Sequence, residues 1–142
     1  DLVQVGFITM FFARLDPELN EIHYANAGNW PAYVIDGKGD ISHVLRTDGY
    51  PIGVSPELTL RQNEPISLAP GSLMVLLTDG IPEARDVLDQ QFGIDRLLTQ
   101  IQAHRESKAR EIVHLVREEV QKHTGTAEQT DDQTIVIVKR IN

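Results

Sequence analysis

The chain has 142 residues, enough for one domain with a core of its own. Apolar residues make up 41% and charged residues 24%, and the net charge of −8 comes from 13 basic and 21 acidic side chains. This balance argues against non-specific nucleic-acid binding and against an anionic membrane surface. The absence of cysteine excludes disulfides, thiolate zinc sites and cysteine nucleophiles and is compatible with a reducing cytoplasm.

The chain opens on Asp1 rather than Met and runs almost at once into an apolar strand. We expect it to be a single partial domain, residues 1–142, cut from a larger regulatory protein. Phe7 to Leu15 is β-rich and ends in a turn at Asp16-Pro17-Glu18. Glu21 to Ala25 alternates, and Pro31 to Ile35 reads as a third strand. Asp36-Gly37-Lys38-Gly39 is a hairpin signal into Ile41 to Leu45. Gly49-Tyr50-Pro51-Ile52-Gly53 is a rigid loop. A long strand with polar alternation is expected over Leu58 to Leu68, and the turn Ala69-Pro70-Gly71 feeds a strand from Leu73 to Thr78.

The period then changes. Ile94, Leu97, Leu98 and Ile101 fall on one helix face. Ser107 is placed to cap a second helix, whose Ala109, Ile112, Val113, Val116 and Val120 face inward and which ends at Thr124-Gly125-Thr126. Thr134 to Ile141 returns as a strand. Strands, two helices and a strand give an α+β domain with a mainly antiparallel sheet. No apolar run reaches the length of a spanning helix, so no membrane insertion is expected.

Two acidic corners stand at the ends of apolar runs. One is Leu73-Met74-Val75-Leu76-Leu77-Thr78-Asp79-Gly80. The other is Thr130-Asp131-Asp132-Gln133-Thr134, before Ile135-Val136-Ile137-Val138. A carboxylate at the end of a buried strand is held rigidly at a sheet rim. Two such strands side by side make an oxygen-rich pocket suited to Mg²⁺ or Mn²⁺. Each corner reads equally as a turn or a loop when taken alone. Adjacent residues at a strand's start point to opposite faces, so only one of Asp131 and Asp132 should enter such a pocket.

The small residues of Asn26-Ala27-Gly28-Asn29 allow a close backbone approach, or simply a tight turn. Glu83 is either part of the acidic site or a first-turn acid of a helix. The five histidines His23, His43, His104, His114 and His123 form no His-x-x-x-His pair, which argues against an imidazole-rich metal site. Phosphate-binding Gly-x-x-x-x-Gly-Lys, Gly-x-Gly-x-x-Gly and Gly-x-Ser-x-Gly patterns are all missing.

The blocks Phe7-Ile8-Thr9-Met10-Phe11, Tyr24-Ala25-Asn26-Ala27-Gly28, Gly49-Tyr50-Pro51-Ile52-Gly53, Leu68-Ala69-Pro70-Gly71, Leu77-Thr78-Asp79-Gly80-Ile81-Pro82-Glu83-Ala84, Phe92-Gly93 and Asp131-Asp132-Gln133-Thr134 occur in that order. This order resembles the C-terminal part of the bacterial metal-dependent serine/threonine phosphatases. These are the protein phosphatase 2C-like (PPM) enzymes of the stage II sporulation protein E and stress-response regulator branch. The resemblance implies a layered α-β-β-α sandwich of antiparallel sheets with flanking helices. It implies two Mn²⁺ or Mg²⁺ ions and a water, activated by them, that attacks phosphoserine or phosphothreonine in line. By position Asp79 and Asp131 match metal-binding acids, and Gly80 matches the small residue lining the cleft. Asp132, Asn29 and Glu83 match positions behind the metal ligands.

Three departures bear on this. Relatives usually read Ala-Gly-His-Asn-Pro where this chain has Ala27-Gly28-Asn29-Trp30-Pro31, so an amide replaces an imidazole. They tend to have Gly-Asp where Gly71-Ser72 stands. The family's N-terminal Gly-Asp-x-x-Asp segment, which supplies a central metal ligand, is not found before Phe7, so weak activity of this piece alone is expected. The resemblance implies a phosphoprotein substrate such as an anti-sigma-factor antagonist, an upstream sensor or receiver domain, a cytoplasmic location and a possible homodimer. The alternative is a non-catalytic, degenerate phosphatase acting as a protein-interaction module. A nuclease-like two-metal hydrolase is opposed by the acidic balance.

Overall fold

The computed structural model describes residues 6–46, 49–55 and 63–141. It divides into two compact units, the first comprising Asp1–Pro31 and Leu45–Leu68, the second Ala32–Val44 and Ala69–Asn142.

In the first unit β1 (Met10–Asp16) and β2 (Glu21–Ala27) pair antiparallel from Met10↔Ala27 to Asp16↔Glu21, and β2 pairs in turn with a short strand we label β5 (Ile66–Ser67). The Asp16 carboxylate closes the hairpin by accepting the Leu19 and Glu18 N–H groups at 3.0 and 3.1 Å. Those hydrogen bonds, that from Leu19 foremost, hold its pKa below the ordinary carboxylate value. Ile22, Ala27, Leu45, Ile66 and Leu68 are the buried apolar residues of this unit. The long strand expected over Leu58 to Leu68 is replaced, in its described part, by the two residues Ile66–Ser67. Residues 58–62 lie outside the described residues.

The second unit holds a four-stranded sheet in the order β4-β3-β6-β7, made of β3 (Ala32–Ile35), β4 (Ile41–Leu45), β6 (Leu73–Leu77) and β7 (Ile135–Lys139). The hairpin signal at Asp36 holds. Its carboxylate accepts the N–H groups of Lys38, Gly39 and Asp40 at 2.8–3.0 Å, and these bonds, Asp40's first, lower its pKa. β6 lies between β3 and β7, and its Leu73, Met74, Val75 and Leu77 are all at most 2% exposed. A central strand covered on both faces needs an unbroken apolar run rather than alternation, and this is the run seen in the sequence.

Both expected helices form: α1 (Ile94–Ala103) and α2 (Ala109–Thr124). Leu97, Leu98 and Ile101 of α1 and Ile112, Val116 and Val120 of α2 are buried, at the period the sequence predicts, and α2 packs on β7. The cap differs from the expectation. Lys108, not Ser107, takes the position before the first turn, and its N–H is satisfied by the Glu111 carboxylate at 2.9 Å. A first-turn acid reaching back serves one exposed N–H without a serine. Among the described residues no helix is long and apolar enough to cross a membrane.

Candidate functional site

The pairing of β6 with β7 decides where the acids go. The register runs antiparallel from Leu73↔Lys139 to Leu77↔Ile135. The C-terminal end of β6 therefore lies beside the N-terminal end of β7. Asp79 leaves the one strand, Asp131 and Asp132 lead into the other, and both corners share one rim of the sheet.

Thr78 stitches the corners together. Its N–H donates to Thr134 O at 3.1 Å, continuing the ladder one step past the strands. Its hydroxyl accepts the Thr134 N–H at 3.0 Å and donates to Asp132 O at 3.1 Å. One side chain thus satisfies a donor and an acceptor on the opposing segment. Gly80 completes the closure. A Cβ placed there would run into the Asp132 carbonyl oxygen and stand 3.0 Å from its carbon, with the Asp131 carbonyl carbon 3.5 Å away. These are backbone atoms that cannot swing aside, so only glycine lets the two segments approach this closely.

The carboxylates themselves are exposed. No described residue bonds or neutralises the side chains of Asp79 and Asp132. Asp131 Oδ1 accepts the Asp132 N–H at 2.7 Å, and Gln129 Nε2 donates to Asp131 O at 2.8 Å. Both acids precede β7 rather than begin it, so strand alternation does not divide them. The Asp131 carboxylate is turned by its bond to the following N–H, while Asp132 is anchored through its carbonyl to Thr78.

Glu83 does not open a helix. Residues 79–83 form a turn in which the Glu83 N–H donates to Asp79 O at 3.0 Å, and the next helix starts only at Ile94. Among the described residues no three His, Asp or Glu side chains come together as a complete metal cage. What the rim offers is a small set of unneutralised oxygen donors on rigid backbone.

Asn29 belongs to the first unit. Its N–H donates to Asn26 Oδ1 at 2.9 Å and its side-chain amide to Trp30 O at 3.1 Å. Gly28 takes φ +75°, and a Cβ there would lie 2.5 Å from Pro51 Cγ. The close approach that the small residues permit is therefore to the Pro51 ring of the same unit. Of the two readings of that corner this is the close approach, made to a ring of the protein itself.

Sequence reasoning passed over the role of Thr78, whose signal is a hydroxyl between a buried strand and Asp-Gly. It also passed over Arg117. That side chain lines a cavity of about 440 Å³ with Ile81, Val116, Gln133, Thr134 and Ile135, immediately behind both corners.

Comparison with known proteins gives the frame for this site. The family described as Stage II sporulation protein E (SpoIIE) matches residues 1–141. Protein IcfG of Synechocystis is 31% identical over 134 residues, covering 94% of this chain and 21% of that protein. The phosphoserine phosphatase RsbU of Bacillus subtilis is 28% identical over 136 residues, covering 94% of this chain and 39% of that protein. The SiaA-PP2C domain of Pseudomonas aeruginosa superposes with a TM-score of 0.78 at 22% identity, covering 92% of this chain and 51% of that one. The fold is thus that of PP2C-like phosphatase domains. The chain spans about half of that solved domain and well under half of either curated relative.

Proposed function

The chain belongs to the stage II sporulation protein E family, and from that premise we propose that it is part of a metal-dependent protein phosphatase. The reaction is hydrolysis of phosphoserine or phosphothreonine on a regulatory protein, of the anti-sigma-factor antagonist class. The observation that carries the reading is the meeting of Asp79 and Asp131 on one rim of the β6–β7 pair, stitched by Thr78 and closed by Gly80.

The donor set fits a hard cation in kind. Mg²⁺ and Mn²⁺ take carboxylate oxygens, and such ions are commonly held by one or two carboxylates plus waters and a substrate phosphate. Asp79 and Asp131 would hold Mn²⁺ or Mg²⁺, with Gly80 lining the cleft and Asp132 and Glu83 adding negative charge behind them. When bound, such an ion neutralises charge on the phosphoryl oxygens and makes water a competent nucleophile near neutral pH. Two ions need more donors than these, and we assign the rest to protein outside these 142 residues. The backbone stitch keeps the acids preorganised, so little ordering is left to be done when charge arrives. Asn29 cannot move a proton, because an amide does not titrate, and its side-chain Nδ2 donates to Trp30 O. In the parent protein we expect a sensor or receiver domain upstream, a cytoplasmic location and a possible homodimer.

Calorimetric Mn²⁺ titration of Asp79→Asn and Asp131→Asn, in the parent protein, tests the assignment. Each substitution should weaken binding by at least about tenfold and lower phosphopeptide hydrolysis in step. Unchanged affinity in both variants would sink it. The second reading, a non-catalytic interaction module, is favoured by the amide at Asn29 and predicts a parent protein that binds its phosphoprotein without turning it over.

A further inference from the structure

Between the Asp79 turn and α1 lies a loop that the acidic corner does not use. Arg85 and Gln91 pair across its stem as an isolated antiparallel bridge. The Phe92 N–H donates to Ala84 O at 2.8 Å and the Gly93 N–H to Pro82 O at 2.9 Å, fastening the loop's end back onto the turn that starts at Asp79. Inside the loop the Asp86 carboxylate accepts the Leu88 and Gln90 N–H groups, both at 2.9 Å. The Arg85 guanidinium reaches Asp89 O at 2.8 Å and its carboxylate at 3.2 Å. From α2, His123 Nε2 bonds Gln90 O at 2.9 Å, while the buried Phe92 ring lies under Arg96 and against the edge of His123.

This frame holds up two aliphatic side chains, Val87 at 69% exposure and Leu88 at 74%. Scattered exposed apolar residues need no explanation. An adjacent pair on a loop bonded to its own stem, to the Asp79 turn and to α2 is a different matter. A segment already ordered forfeits little conformational entropy when it binds, so its apolar area converts to affinity with small loss.

We propose that Val87 and Leu88 form the docking point for the phosphoprotein substrate, inserting into an apolar depression bordered by basic side chains on that protein. The inference rests on the phosphatase reading above. Two observations select this occupant. The loop is hydrogen-bonded to the same turn that carries Asp79, so a protein offering its phosphoryl group to the acidic corner comes within reach of the tip. The surroundings are acidic. Asp79, Glu83, Asp86 and Asp89 face Arg85, which is spent on Asp89, and Arg96, which is spent on Glu119 and His123, so the acids outnumber the arginines. A partner face that is apolar at its centre and cationic at its margin complements that field, which acts on encounter and register as well as on affinity.

The test uses the full-length parent protein with Mn²⁺ and two substrates: p-nitrophenyl phosphate, and a phosphoserine-bearing anti-sigma-factor antagonist. The double variant Val87→Ser/Leu88→Ser is compared with Val87→Ile/Leu88→Met, which keeps the apolar tip. Both side chains are mostly exposed, so the melting temperature should change by less than about 2 °C. The serine variant should lose roughly tenfold or more in kcat/KM on the phosphoprotein, through KM, with p-nitrophenyl phosphate turnover within about twofold of wild type. The conservative variant should recover the phosphoprotein rate. Unchanged phosphoprotein kinetics in the serine variant overturn the docking role and leave the phosphatase reading standing. An equal loss on both substrates also overturns it, since the loop would then merely support the acidic corner. A wild-type protein that hydrolyses neither substrate overturns the phosphatase reading, and the docking role with it.

Discussion

Replacing Gly80 by alanine tests the closure of the acidic corner directly. The added Cβ would overlap the Asp132 carbonyl oxygen and meet its carbon at 3.0 Å. Overpacking of this kind costs about 1–3 kcal/mol when neighbours can give way. Here the neighbour is the backbone that Thr78 holds, and moving it breaks the Thr78 hydroxyl's bonds to Asp132 O and from the Thr134 N–H. At about 1 kcal/mol for each bond, the combined loss is about 3–5 kcal/mol. For a domain of this size that corresponds to a fall of roughly 10–17 °C in melting temperature. Thermal unfolding followed by far-ultraviolet circular dichroism measures it. Thr78→Val, which removes the hydroxyl and keeps the shape, should lower the midpoint as well, whereas Thr78→Ser should recover much of the loss. A Gly80→Ala protein melting within about 1 °C of wild type would show that the two segments are not held against each other, and the argument for a preformed rim would fail.

Other outcomes follow from the same contacts. In the parent protein Asp132→Asn should cost less activity than Asp131→Asn, because Asp132 is tied into the corner through its carbonyl, which the substitution leaves in place; equal losses would mean that both acids hold the ion. The 142-residue chain alone should hydrolyse p-nitrophenyl phosphate far more slowly than its parent with excess Mn²⁺, and comparable kcat/KM values would refute our assignment of further ligands outside it. The lowered pKa values of Asp36 and Asp86 come chiefly from the N–H groups of Asp40 and Gln90. A depressed carboxylate stabilises the fold above its unfolded pKa, about 3.9, and that contribution disappears as pH falls through the lower folded value. Asp36→Asn keeps an oxygen for the turn but no titration. The melting-temperature gap between wild type and Asp36→Asn should therefore be constant near neutrality and narrow below about pH 4, and a gap that widens in acid would contradict the sign.

Elements whose signals are local were legible in the chain before folding. The apolar faces of Leu97, Leu98 and Ile101 and of Ile112, Val116 and Val120 follow from helical period, and the Asp36 hairpin from turn chemistry. The continuous run Leu73 to Leu77 announced a strand covered on both faces. These hold because each residue's preference and its place in the core agree. The pair of acidic corners was legible too, as two carboxylates at the ends of strand-like runs.

Features that depend on pairing between distant segments were set by the fold. The antiparallel register of β6 with β7 brings Asp79 and Asp131 to one rim; a parallel pairing of the same two strands would have put them at opposite ends. It also gave Thr78 its partners and made glycine compulsory at position 80. The fold turned the Ala27-Gly28 corner toward Pro51, and moved the cap of α2 from Ser107 to Lys108. It raised Val87 and Leu88 on a loop held by Arg85, Asp86 and His123. At the rim, at Gly80 and at the Pro51 contact the deciding neighbour lies far away in the chain, and local propensity carries no record of which carbonyl or ring will be waiting there.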